Sequence, residues 1–146
     1  MILLIPVDMK QNPKVLKSMK DGDVHILAVV DPELVRLSAE MAIEKGWLGD
    51  KATSDIYRFL LKQLRRMRKE FVEQAVKLLQ IKEIKITYDE KDGNFVEEIK
   101  KAVSSKNVHT VIFCHKNGYN PYWSVLKPIV NKLCKELNVK NCKVIN

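Results

Sequence analysis

The side chains best suited to chemistry in this chain stand directly after short apolar runs. Asp8 follows residues 2–7 (Ile-Leu-Leu-Ile-Pro-Val), Asp31 follows residues 24–30, and His115-Lys116-Asn117-Gly118 follows residues 110–114. A carboxylate at the end of such a run can accept backbone N–H groups or cap the next helix. A lysine followed by free backbone N–H groups at a helix start can receive an anion, so Lys116 and residues 118–122 are a candidate anion site. Pro121 contributes no N–H to it. Ser124 offers a hydroxyl, but no motif sets a base beside it. Each residue also has a plainer reading: Asp8 as a turn-stabilising carboxylate, Asp31 before Pro32 as an N-cap, His115 as a surface histidine.

Other chemistries find no pattern. No Walker A loop, no Gly-x-Gly-x-x-Gly and no zinc spacing is present. Cys114, Cys134 and Cys142 form no Cys-x-x-Cys pair, and their odd number suits buried, reduced thiols. His25, His109 and His115 are scattered. These absences argue against an enzyme and against a metal site.

The elements that must position the candidate residues alternate from end to end. Apolar runs predict strands over 2–7, 24–30, 84–88, 110–114 and 142–145. Helices are predicted over 13–19, from 31 to 45, 52–79, 95–103 and 121–137. Asn12-Pro13, Asp31-Pro32 and Asn120-Pro121 each place a capping side chain before a proline that suits the first turn. Asp21-Gly22-Asp23 stops the first helix, Gly46 closes the second, and Trp47 anchors the loop that follows. Pro128 should disturb the last helix. In the long helix Ile56, Leu60, Leu64, Met67, Phe71, Ala75 and Leu78 form one apolar stripe. The order β-α-β-α-α-β-α-β-α-β predicts a single α/β domain over residues 1–146. Its sheet would be five-stranded, parallel and doubly wound, with helices on both faces.

Charge is uneven along the chain. The net charge is +8, and residues 51–80 hold eight basic against three acidic residues. Arg58, Lys62, Arg65 and Lys69 make a second stripe on the long helix, with Arg66 beside it. This basic face suits nucleic acid or an acidic protein partner, or simply a solvated surface. Aromatic residues do not interleave with it as in single-strand binders. No apolar run approaches 18 residues, and the first residues lack the basic start of a secretory signal. The expected location is the cytoplasm, with no membrane contact.

Ile5-Pro6-Val7-Asp8, Leu27-Ala28-Val29-Val30-Asp31-Pro32 and the late Cys142-Lys143-Val144-Ile145 occur in an order and spacing that resembles the universal stress protein family. The resemblance runs over nearly the whole chain. It implies a Rossmann-like sheet ordered 3-2-1-4-5, a homodimer and a role in stress response. It also implies a nucleotide crevice outside the carboxyl ends of strands one and four. Pro6, Val7, Asp8, Val30, Asp31, Cys114, His115, Lys116, Asn117, Gly118 and Ser124 would line it, with Asp8 and the backbone near Val30 meeting an adenine ring.

The glycine-rich phosphate loop of the family is missing. Gly118 stands alone among Tyr119, Tyr122 and Trp123, and Lys127-Pro128 falls where a second glycine motif would lie. The expectation is therefore a regulatory binding module without tight ATP binding. The alternatives are an ATP- or AMP-binding protein with an atypical loop and a nucleic-acid binder using the basic helix. The first crossover leaves room for two helical turns only, which should leave one side of the sheet near strand one thinly covered.

Overall fold

A computed structural model describes residues 1–20, 22–44, 50–116, 118 and 120–146, with only the backbone described at 43, 44 and 50–52. The elements are β1 (Ile2–Pro6), α1 (Pro13–Ser18), β2 (Asp23–Val30), α2 (Pro32–Glu44), α3 (Asp50–Ile81), β3 (Lys85–Asp92), α4 (Phe95–Ser105), β4 (Thr110–Cys114), α5 (Pro121–Glu136) and β5 (Asn141–Ile145). The five strands form one sheet ordered β3-β2-β1-β4-β5, and every pairing is parallel. This is the predicted doubly wound α/β sheet. Its order reverses between β1 and β4, so right-handed crossovers place α1 and α3 on one face and α4 and α5 on the other.

The central strands are buried on both sides, which is why they read as unbroken apolar runs. Leu3, Leu4 and Ile5 of β1 are fully buried. The thin cover expected near strand one is thus not found. Although α1 has only six residues, Val15 and Leu16 are buried, and Lys82 just beyond α3 donates to the carbonyls of Leu16 (2.6 Å) and Met19 (2.9 Å). The long α3 shares that face and supplies the cover a short α1 cannot. On the other face Phe95 and Ile99 of α4 and Leu126 and Val130 of α5 complete the core.

Four local expectations change. β3 runs four residues beyond Tyr88 because Leu27 to Val30 pair with Asp89 to Asp92. An edge strand keeps one side in water and so tolerates charges there. The buried row on α3 shifts at its end from Leu78, half exposed, to Leu79, fully buried, following the step of four from Phe71 and Ala75. α5 continues through Pro128 without a break. Cys134 and Cys142 are joined in a disulfide rather than reduced. Leu137 to Lys140 turn the chain from α5 straight back into β5, which sets the two Cα atoms 5.4 Å apart. Cys114 is buried and free. Asp21, the Gly46 cap, the Trp47 anchor, Asn117 and Tyr119 lie outside the described residues.

The length of α3 shapes the carboxyl end of the sheet. Arg65 and Arg68 both bond to Asp92, the last residue of β3, while Ile84 leads into its first. The helix from Arg68 to Ile81 therefore matches the strand. The preceding stretch of α3, residues 50–67, extends past the sheet edge by about 27 Å, at about 1.5 Å per residue. There α2 packs against both α3 and α5.

Candidate functional site

The crevice between β1 and β4 is where an open α/β sheet receives ligands. Among the described residues its two loops are tied together by three hydrogen bonds. Val7 N–H donates to the Cys114 carbonyl (3.1 Å). The Asp8 carboxylate accepts Lys10 N–H (3.1 Å) on one oxygen and Lys116 N–H (2.9 Å) on the other. Asn12 caps α1 with its oxygen, and its Nδ2 donates to the His115 carbonyl (2.9 Å). Met9 takes a positive φ of 60° to make the turn. Burial raises the Asp8 pKa. The two backbone N–H groups and the nearby His115 and Lys10 charges only partly oppose that.

Asp31 is similarly committed. One oxygen caps α2 through Glu33 N–H (3.0 Å) and Leu34 N–H (3.3 Å). The other accepts Phe95 N–H (2.9 Å) at the start of α4. Asp31 N–H in turn donates to the Tyr122 hydroxyl (3.0 Å). The Val30 carbonyl accepts Gly93 N–H (3.1 Å). Tyr122 is 1% exposed, and burial pushes its phenol pKa up. The ring thus fills space beside the end of β2, and a cavity of about 150 Å3 lies next to it, lined by Lys10, Leu60, Leu64, Met67 and Asn120 among others. Small-molecule sites usually run from about 300 to 1,000 Å3.

The remaining candidates are placed as follows. Pro6 ends β1 opposite Cys114. His115 stacks on Trp123 with ring centroids 4.3 Å apart. Its N–H donates to the Ile145 carbonyl (3.1 Å). Lys116 and Gly118 are exposed, and Gly118 holds φ 137° with Lys10 Nζ 3.8 Å from where a Cβ would lie. Ser124 is exposed and turns its hydroxyl to the Asn120 carbonyl (3.2 Å). Asn120 caps α5 through Trp123 N–H (3.1 Å).

A second cleft opens beside this crevice. Met9, Lys10, Gln11, Met67, Glu70, Phe71, Gln74 and Lys116 line about 270 Å3 between α3 and the loops after β1 and β4. Gln11 Nε2 donates to the Phe71 carbonyl (2.9 Å), while its Oε1 is buried without a hydrogen-bond partner. Lys10 and Lys116 make no ion pair among the described residues. Lys10 and Gln11 carry no sequence signal as site residues, because the helix facing them lies some sixty positions away.

The basic stripe is divided by the fold. Arg65 Nε donates to Asp92 (2.9 Å), and Arg68 holds the other oxygen (2.7 Å). Partial burial would raise the Asp92 pKa, but these two guanidinium groups together hold it below the ordinary value. Arg58, Lys62, Arg66 and Lys69 remain exposed without ion pairs among the described residues. Lys62 and Arg66 flank a surface cavity of about 550 Å3 together with Phe59, which is 64% exposed, and Gln63.

No family model, no curated protein and no solved structure matches this chain. Among the described residues no three His, Cys, Asp or Glu side chains gather as a metal site, and no helix is long and apolar enough to cross a membrane.

Proposed function

We propose that this chain is a regulatory binding domain of the kind its universal stress protein resemblance implies, acting without catalysis and without tight ATP binding. The observation that supports this most is that the described polar groups at the β1/β4 crevice are already committed to one another. Tyr122 fills the position beside β2, and both oxygens of Asp8 and of Asp31 already accept backbone N–H groups. An adenine ring would have to break those bonds and displace a buried phenol. In sequence, Gly118 stands without the second glycine pair that builds a nest of N–H groups for phosphates in the family's loop.

The reading includes a cytoplasmic homodimer. β5 pairs only with β4 among the described residues, so its outer edge is available to a second copy.

Native mass spectrometry of gently purified protein, followed by calorimetric titration with Mg-ATP, tests both parts. A ligand-free dimer with no heat of binding is the expected outcome. Stoichiometric ATP binding with a Kd on the order of 1 μM would overturn it.

A further inference from the structure

We propose that the cleft between α3 and the loops following β1 and β4 is a binding site for a small organic phosphate. The site rests on the reading of the chain as a binding domain, but it is separate from the β1/β4 crevice.

Its charge points to the ligand class. Lys10 and Lys116 both line the cleft, and neither is neutralised by an ion pair among the described residues. Ammonium groups are point charges without the planar fork that fits a carboxylate. Two of them together suit a compact dianion, and a phosphate monoester carries close to two negative charges at neutral pH. The loop bearing Lys116 is anchored because its N–H is held by Asp8, and Asn12 holds the His115 carbonyl beside it. The Lys10 side chain reaches over Gly118, where a Cβ would lie 3.8 Å from Nζ. A side chain at 118 would meet that ammonium at an ordinary contact distance, and its cost would come from the φ of 137°.

The rest of the lining selects the body of the ligand. Gln11 Oε1 is a buried acceptor without a donor, and a buried acceptor left unpaired costs about 1–3 kcal/mol. Gln11 lines the cleft, and a turn of its amide would present this acceptor to a ligand hydroxyl. Glu70 and Gln74, both exposed, offer further polar partners at the rim, while Met67 and Phe71 give an apolar wall. Glu70 at the rim and the buried Asp8 carboxylate near Lys10 both offset positive charge, which disfavours a polyanion and suits a single phosphate held between the two ammonium groups. A volume of about 270 Å3, just under the usual range for small-molecule sites, leaves room for a phosphate with a few carbons and hydroxyls but not for a nucleotide.

Amide shift mapping of the full chain tests the site, using inorganic phosphate, glycerol 3-phosphate and glycerol as probes. Both phosphates should shift Lys10, Gln11, Gln74 and Lys116 and saturate with a Kd on the order of 1 mM or tighter. Glycerol 3-phosphate should bind more tightly than inorganic phosphate, and glycerol should not bind. Lys10→Met with Lys116→Met, which keeps the apolar stems, should weaken both phosphates by about tenfold or more, a loss of about 1.4 kcal/mol. Gln11→Leu should erase the preference for glycerol 3-phosphate and leave inorganic phosphate bound. Arg58→Met with Lys62→Met should change neither. Shifts spread along the outer face of α3, shifts unaltered by the lysine pair, or no saturable shifts would each overturn the site. Mg-ATP that shifts Asp31 and Tyr122 in the lysine variant would overturn the functional reading instead, so the two failures are distinguishable.

Discussion

At the scale of single residues, buried polar groups in this chain act mainly as fasteners. Asp31 joins the start of α2, the start of α4 and the Tyr122 hydroxyl in one network. Its capping role was legible in Asp31-Pro32, but its other two partners come from far along the chain and left no local trace. His25 is a further case. It is 2% exposed on β2, with Nδ1 2.6 Å from Thr87 Oγ1. Its Nε2 lies 3.2 Å from Asp89 Oδ2, close enough for charge attraction but without a directed hydrogen bond. Burial first, and the Lys106 charge next, lower its pKa, and Asp89 opposes them. The folded state therefore favours the neutral ring. Its contribution is fully present above the ordinary value of 6.5 and is lost as pH falls through the folded value. Urea unfolding across this range should show stability rising with pH. His25→Gln should flatten that slope, whereas an unchanged slope would assign it to other groups.

At the scale of elements, the strands that cross the core were the easiest to read, because burial on both faces leaves a continuous apolar run. β3 was only half legible. Its second half, Asp89-Glu90-Lys91-Asp92, is charged and lies past the apolar run that predicted the strand, and it becomes strand because β2 offers a full ladder beside it. The cleft itself was not legible, since it exists only where α3 passes Lys10 and Gln11. Pro128 shows a local preference overridden by packing. Leu126, Val130 and Leu133 bury one face of α5 and hold it helical through the proline. Proline still removes a donor to the carbonyl four residues earlier. Because Pro128 is exposed, Pro128→Ala should raise stability by about 1–3 kcal/mol in chemical denaturation. A loss of stability instead would mean that the ring packs against something the helix needs.

At the scale of the molecule, α5 and β5 are held at the sheet edge partly by the Cys134–Cys142 bond. The two cysteines stand eight positions apart, and a loop of that size is worth about 2–3 kcal/mol in the chain-entropy view. Cys134→Ser should lower stability under oxidising conditions by about that amount and have little effect in the presence of a strong reductant. Equal losses in both conditions would point to packing and not to the bond. A reducing cytoplasm would hold the pair open, so the edge that a second copy would use should be firmer outside a reducing environment than within it.

The pairing of β1 has a consequence for synthesis. Ile2 to Pro6 sit between β2 and β4, and the register joins Ile2 to Thr110. A ribosome delivers β1, β2 and β3 long before β4 exists. During that interval the growing chain can form a three-stranded half-sheet whose most apolar strand has one bare edge. Long-range parallel pairing of this kind is slow and exposes unpaired strands while it waits. The cell's ability to make this protein therefore depends on what shields the first strand until its last neighbour arrives.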